Sequence, residues 1–145
     1  MIAHLKTTAE ELGLPFGPRT KTYNSRLAQE LGMWAMTLGK GDAFHLAAFK
    51  AYFADGVNLG KITVLLEIAS NLGLPEKEAA QVLANRVYKD AVDRDWQDSQ
   101  FKGITAVPTF IMGQHKLVGA QNYEALEQLV RLYGAVKRDQ AAQPN

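Results

Sequence analysis

The apolar residues of this chain keep a helical spacing as far as Ser99 and then change to a β-type pattern, a switch that limits the possible folds more than any other feature. Ile2, Leu5, Ala9 and Leu12 share one helical face, and Gly13 is placed to end that helix. The stretch LPFGPRTK, with its two prolines and a glycine, then reads as an extended connector. Leu27, Leu31, Trp34, Ala35 and Leu38 draw the stripe of an amphipathic helix closed by Gly39 and Gly41. Asp42 is expected to N-cap the next helix, AFHLAAFKAYFAD, whose nearly all-round apolar surface predicts a central, mostly buried element. Ile62, Leu65, Leu66, Ala69 and Leu72 form a further stripe that stops at Gly73. Pro75 is placed at the first position of the following helix, ahead of Glu76 and Glu78. Val82, Leu83, Val87, Ala91, Val92 and Trp96 carry that helix on to Ser99, with a bend near Asn85.

Beyond that point ITAVPTFIM, the loop GQH and the run Lys116 to Val118 predict a β-hairpin. Asn122 can cap a last helix, YEALEQLVRLYG, with Leu126, Leu129, Val130 and Tyr133 on its buried face and Gly134 at its end. The order of elements is therefore five or six helices, then strand, strand, helix: a mainly α (α+β) chain. We expect a helical domain over residues 1–102, a ββα unit over 103–136 packed on it, and a polar tail over 137–145.

Charge and composition exclude several functions. The 16 basic and 15 acidic side chains nearly cancel and are scattered, so no nucleic-acid or anionic-membrane partner is expected. No apolar run reaches the ~20 residues of a membrane span, and Lys6, Glu10 and Glu11 stand where a signal peptide needs its apolar core; a cytoplasmic chain is the expectation. With no cysteine, these residues offer no disulfide, thiolate metal ligand, CxxC centre or cysteine nucleophile. His4, His45 and His115 lack ligand spacing, so neither a metal nor any other cofactor is expected. Asp93, Asp95 and Asp98 read as a solvated acidic face beside Arg94. Trp34, Phe44, Phe49, Tyr52, Phe53 and Trp96 read as core aromatics.

Pro108, between Val107 and Thr109-Phe110, admits two readings: the first residue of an edge strand, or a cis peptide bond. The surrounding text, GITAVPTFIMGQHKLVGAQNYEALEQLV, resembles the closing ββα unit of DsbA-like members of the thioredoxin superfamily. NSRLAQELGMWA, FKAYFADGVNLGKITVLLEIASNLGL and the stretch ending VDRDWQDS resemble the helical insertion of the family's FrnE-type branch. The resemblance runs from Ala9 to Tyr133 and implies a helical insertion domain followed by the C-terminal part of a thioredoxin fold.

What it implies about function is specific. Pro108 would be the family's cis-proline, and Val107, Pro108 and Thr109 would present backbone to an extended substrate peptide by strand addition. Asn24, Ser25 and Arg26 fall where the family places a substrate-facing helix start, although capping alone accounts for Asn24 and Ser25. The family's opening strand, CxxC and helix have no counterpart in these residues, so no catalytic residue is assigned. Thiol–disulfide oxidoreductase or isomerase activity is not expected from the chain alone. The hairpin would then lack a neighbouring strand, which predicts a homo-oligomer or a complementing N-terminal thioredoxin segment. Two alternatives stay open: a relative of glutathione-transferase kappa and 2-hydroxychromene-2-carboxylate isomerase, or a non-catalytic peptide-binding or assembly module.

Overall fold

The computed structural model describes residues 2–18 and 21–136, so the tail over 137–145 lies outside the described residues. The chain divides into two compact units, Met1–Trp96 and Gln97–Asn145. The described residues are mainly helical with one small sheet.

The first unit holds α1 (Ile2–Glu11), α2 (Arg26–Thr37), α3 (Gly41–Phe49), a π-helical turn (Lys50–Ala54), α4 (Ile62–Asn71) and α5 (Glu76–Ala84). The last helix before the sheet, α6 (Lys89–Phe101), begins in this unit. Its core interleaves Leu31, Trp34 and Ala35 of α2 with Phe44 and Ala48 of α3, Leu65, Ile68 and Ala69 of α4, and Ala79, Val82 and Leu83 of α5. Each fully buried large apolar side chain in it stabilises the fold by about 1.5–3 kcal/mol relative to exposure. Of the residues that sequence spacing places on inner faces, Leu31, Trp34, Ala35, Leu65, Ala69, Val82 and Leu83 meet here, whereas Leu38 and Ile62 are exposed.

Several sequence expectations need correction. Lys40, not Asp42, is the N-cap of α3, and it makes no side-chain cap bond. Asp42 instead sits in the first turn, where its charge faces the positive end of the helix dipole. The helix expected to be central and mostly buried is buried only along Phe44 and Ala48; Leu46 and Phe49 are exposed. Its backbone widens to i→i+5 bonding after Phe49, with Asp55 N–H donating to the Lys50 carbonyl at 3.1 Å. Trp34 and Phe44 belong to the core, whereas Phe49 and Trp96 do not. Pro75 stands just outside α5 as its N-cap, with extended backbone.

The long helix expected from Pro75 to Ser99 is two helices. α5 stops at Ala84 and residues 85–88 form a turn before α6. Arg86 has φ +51°, the left-handed conformation that usually falls to glycine at this place. Arg86 N–H bonds the Leu83 carbonyl at 3.3 Å and Val87 N–H bonds that of Val82 at 3.1 Å, the paired pattern that closes a helix C-terminus. Elsewhere a glycine does this work: Gly73 after α4 has φ +72°, with Leu74 N–H on the Ala69 carbonyl at 3.0 Å.

The second unit contains β1 (Thr109–Met112), β2 (His115–Val118) and α7 (Tyr123–Leu132). The strands pair antiparallel as a two-stranded sheet, Thr109 opposite Val118 and Met112 opposite His115. The connection is the two residues Gly113 and Gln114; His115 already belongs to β2. Gly113, at φ +54°, takes the position in which a short hairpin turn needs positive φ. Asn122 caps α7, its Oδ1 accepting from Ala125 N–H at 2.9 Å.

Candidate functional site

Hairpin parity determines which backbone groups of β1 remain available. Gly119 N–H donates to the Pro108 carbonyl at 2.8 Å, so Pro108, Phe110 and Met112 turn their backbone toward β2. Thr109 and Ile111 therefore turn theirs toward the opposite edge, which carries no further strand among the described residues. Just upstream, the Val107–Pro108 peptide bond is cis. Val107 is 87% exposed, and among the described residues neither its N–H nor its carbonyl has a hydrogen-bond partner. The Thr109 hydroxyl is spent locally on the Ala106 carbonyl at 2.6 Å, closing the loop that holds Val107 outward. Val107 and Pro108 thus face solvent, with Thr109 half-buried beside them.

The two faces of the hairpin differ. Phe110 and Leu117 are half-buried, and the His115 ring at the hairpin end meets Tyr133 of the α7 C-cap edge-on at 5.7 Å. The Tyr133 hydroxyl accepts from Gln114 N–H at 3.0 Å and lies 2.8 Å from His115 Nδ1. On the other face Ile111 and Val118 are exposed. There Lys116 reaches across to the carbonyls of Lys102 and Gly103 at 2.7 and 3.0 Å, placing a cation at the C-terminal end of α6. An open cavity of about 510 Å³ lies on this side, lined by Ile104, Thr109, Ile111 and Lys116 among others.

The first unit contains a charged cluster that sequence reasoning missed. Glu30, on the inner side of α2, is completely buried, with 0% of its side chain exposed. Its carboxylate accepts from Arg26 Nε at 2.9 Å and from Arg86 Nη2 and Nε at 2.6 and 2.7 Å. Arg26 also donates through Nη2 to Asp93 at 2.5 Å and to the Lys89 carbonyl at 2.8 Å, and Lys89 Nζ holds the second Asp93 oxygen at 2.8 Å. The Arg26 guanidinium lies 4.9 Å from the centre of the Trp96 ring, whose Nε1 donates to Gln29. Asp93 is therefore not part of a solvated acidic face, although Asp95 and Asp98 are exposed.

These contacts shift the charges in a consistent sense. The Arg86 hydrogen bonds, ahead of burial, which opposes them, hold the Glu30 carboxyl below the usual carboxylate range, with Arg26 assisting. Lys89 and then Arg26 hold Asp93 down in the same way. Arg26 is raised chiefly by Asp93, Arg86 by Glu30 and Lys89 by Asp93. One signal in the sequence pointed here: Glu30 lies three residues after Leu27 and four before Trp34, within the apolar stripe. At the start of the same helix Asn24 Oδ1 accepts from Arg26 N–H at 2.8 Å, while Ser25 makes no cap bond and accepts from Gln29 Nε2 at 3.0 Å.

Among the described residues no three His, Cys, Asp or Glu side chains are grouped to hold a metal ion, and no helix is long and apolar enough to cross a membrane.

The sequence profile of the DSBA-like thioredoxin domain matches residues 1–131. The chain belongs to this family. It is 29% identical over 132 residues to the uncharacterized protein YwbO of Bacillus subtilis (strain 168), an alignment covering 87% of this chain and 64% of that protein. The fold is similar to that of a probable DsbA oxidoreductase from Streptomyces coelicolor, with a TM-score of 0.80, 26% identity, and coverage of 97% of this chain and 63% of that one. A candidate protein disulfide isomerase from Nitrosomonas europaea shares the fold at a TM-score of 0.71 and 20% identity, over 91% of this chain and 71% of its own. The DSBA-like chain thus spans less than two thirds of the YwbO and Streptomyces proteins.

Proposed function

We propose that these residues are the peptide-presenting part of a DsbA-family thiol–disulfide oxidoreductase, and that they perform no thiol exchange alone. Disulfide exchange needs an attacking thiolate and a resolving partner, and the chain contains no cysteine. The observation that carries the reading is the exposed Val107-Pro108 pair ahead of β1, with unpaired backbone groups at Val107. An extended peptide can pair with such groups as an added strand, the main chain supplying affinity and neighbouring side chains selectivity. The free edge of β1, with outward backbone at Thr109 and Ile111, is a second pairing surface. It suits a complementing N-terminal thioredoxin segment or a second copy of the chain.

The reading is tested by insulin reduction with dithiothreitol and by titration of an extended unfolded peptide. The chain should leave the precipitation of insulin at the buffer rate. The peptide should shift the amide resonances of Val107 and Thr109. Turnover above background would refute the thiol argument, and peptide shifts confined to other residues would refute the placement of the site.

A further inference from the structure

A cleft of about 270 Å³ in the first unit is lined by Asn24, Arg26, Leu27, Gly60 and Arg86. Its polar side chains are donors. Arg86 commits Nε and Nη2 to Glu30. Arg26 commits Nε to Glu30, and Nη2 to Asp93 and the Lys89 carbonyl. Among the described residues this leaves the Nη1 group of each guanidinium, with two N–H donors apiece, without a protein acceptor. Asn24 turns its Oδ1 to Arg26 N–H, and no protein acceptor among the described residues takes its Nδ2 donors. Gly60 N–H is satisfied by Asn58 Oδ1 at 2.8 Å. No acidic side chain lines the cleft. Glu30, the carboxylate behind it, is fully buried and already accepts three bonds.

Neutralising Glu30 requires one guanidinium, and the cluster supplies two. Asp93 and Asp90 balance Arg26 and Lys89 outside the cleft, so what the cleft offers an anion is the pair of free Nη1 donor groups and not a net charge. Glu30 also fixes both guanidiniums from behind, so a ligand would find them already oriented and lose little side-chain freedom on binding. Arg86 reaches this position from a left-handed backbone that a glycine would adopt more easily; glycine would supply no charge. We propose that this cleft binds an anionic group, a carboxylate or a phosphate of a small molecule, between the Nη1 groups of Arg26 and Arg86 and the Asn24 amide. Glu30 is the positioning residue for both arginines. Guanidinium recognises carboxylate and phosphate alike through paired N–H donors, which is why both chemistries belong to one proposal.

The test is titration of the folded chain with inorganic phosphate in one arm and acetate in the other, at constant ionic strength, read by arginine Nε and Asn24 side-chain amide resonances. Saturable shifts at Arg26, Arg86 and Asn24 are expected in at least one arm; phosphate alone identifies a phosphate ligand, and acetate alone a carboxylate. Arg86→Lys keeps the charge on Glu30 but loses the planar donor edge, and should weaken binding about tenfold. Should that variant fold poorly, Asn24→Asp keeps the cap acceptor while setting a carboxylate in the cleft, and should abolish binding with the thermal midpoint retained. Shifts that fail to saturate, or that are equal in the parent and Asn24→Asp proteins, would overturn the proposal. The peptide reading above, measured at Val107 and Thr109, would be untouched by that result.

Discussion

Replacing Glu30 by alanine removes the acceptor of three charge-assisted hydrogen bonds inside a fully buried site and leaves two guanidiniums facing a gap. Arg86, with 42% of its side chain exposed, can turn to water; Arg26, at 15%, cannot do so without giving up Asp93 and the Lys89 carbonyl. The dominant cost is thus the loss of the buried Glu30–arginine pairs, which leaves the Arg26 Nε donor without an acceptor while Nη2 keeps Asp93 and the Lys89 carbonyl. Deleting one partner of such a pair destabilises by about 3–5 kcal/mol. At about 2–4 °C per kcal/mol for a chain of this size, the thermal midpoint should fall by about 6–20 °C. Urea unfolding followed by tryptophan fluorescence is a direct assay, because Trp34 lies in the core and Trp96 lies over Arg26. Adding Arg86→Ala to Glu30→Ala should cost less than the sum of the single changes, because the two residues share one interaction. A Glu30→Ala protein within about 1 kcal/mol of the parent, at unchanged urea dependence, would show that the cluster is not what joins α2 to the start of α6.

Acid should weaken the same cluster. A carboxyl held below its unfolded value contributes stability above that value, about pH 4.3 for glutamate, and loses it as pH falls through the folded value. Asp93 adds to this with the same sign. Urea midpoints measured from pH 6 to pH 2 should therefore drop less steeply for Glu30→Gln than for the parent below about pH 4, and the two curves should converge at the acid end. In the second unit, Asn122→Ala removes the one side-chain bond that caps α7 and should cost about 1 kcal/mol, seen as faster hydrogen exchange at the Ala125 amide; unchanged exchange there would mean that the cap is dispensable.

The helices around the core were legible because local spacing is enough to set them. Leu27, Leu31 and Trp34, or Leu65 and Ala69, can share a face only if the backbone turns every 3.6 residues, and glycines such as Gly73 mark their ends without help from distant residues. The hairpin was legible on similar grounds, whereas Pro108 among β-branched residues left two backbone arrangements open. Resemblance then supplied their meaning, which no count of residues contains.

Other features depend on partners far along the chain. The break at Arg86 was legible only as a bend near Asn85, because Val82, Val87, Ala91 and Val92 keep nearly helical spacing through it and no glycine announces it. What stabilises the left-handed arginine is a carboxylate 56 positions away. The exposure of Leu46 and Phe49 was hidden for the converse reason: an apolar helix face is buried only if another element comes to cover it. Asp93 read as solvated because its own neighbours in sequence are charged, whereas in space it meets Arg26. Backbone periodicity is a near-neighbour property and survives in the order of residues; which charge meets which, and which apolar face is covered, are pairings across the chain that exist only once the helices have packed.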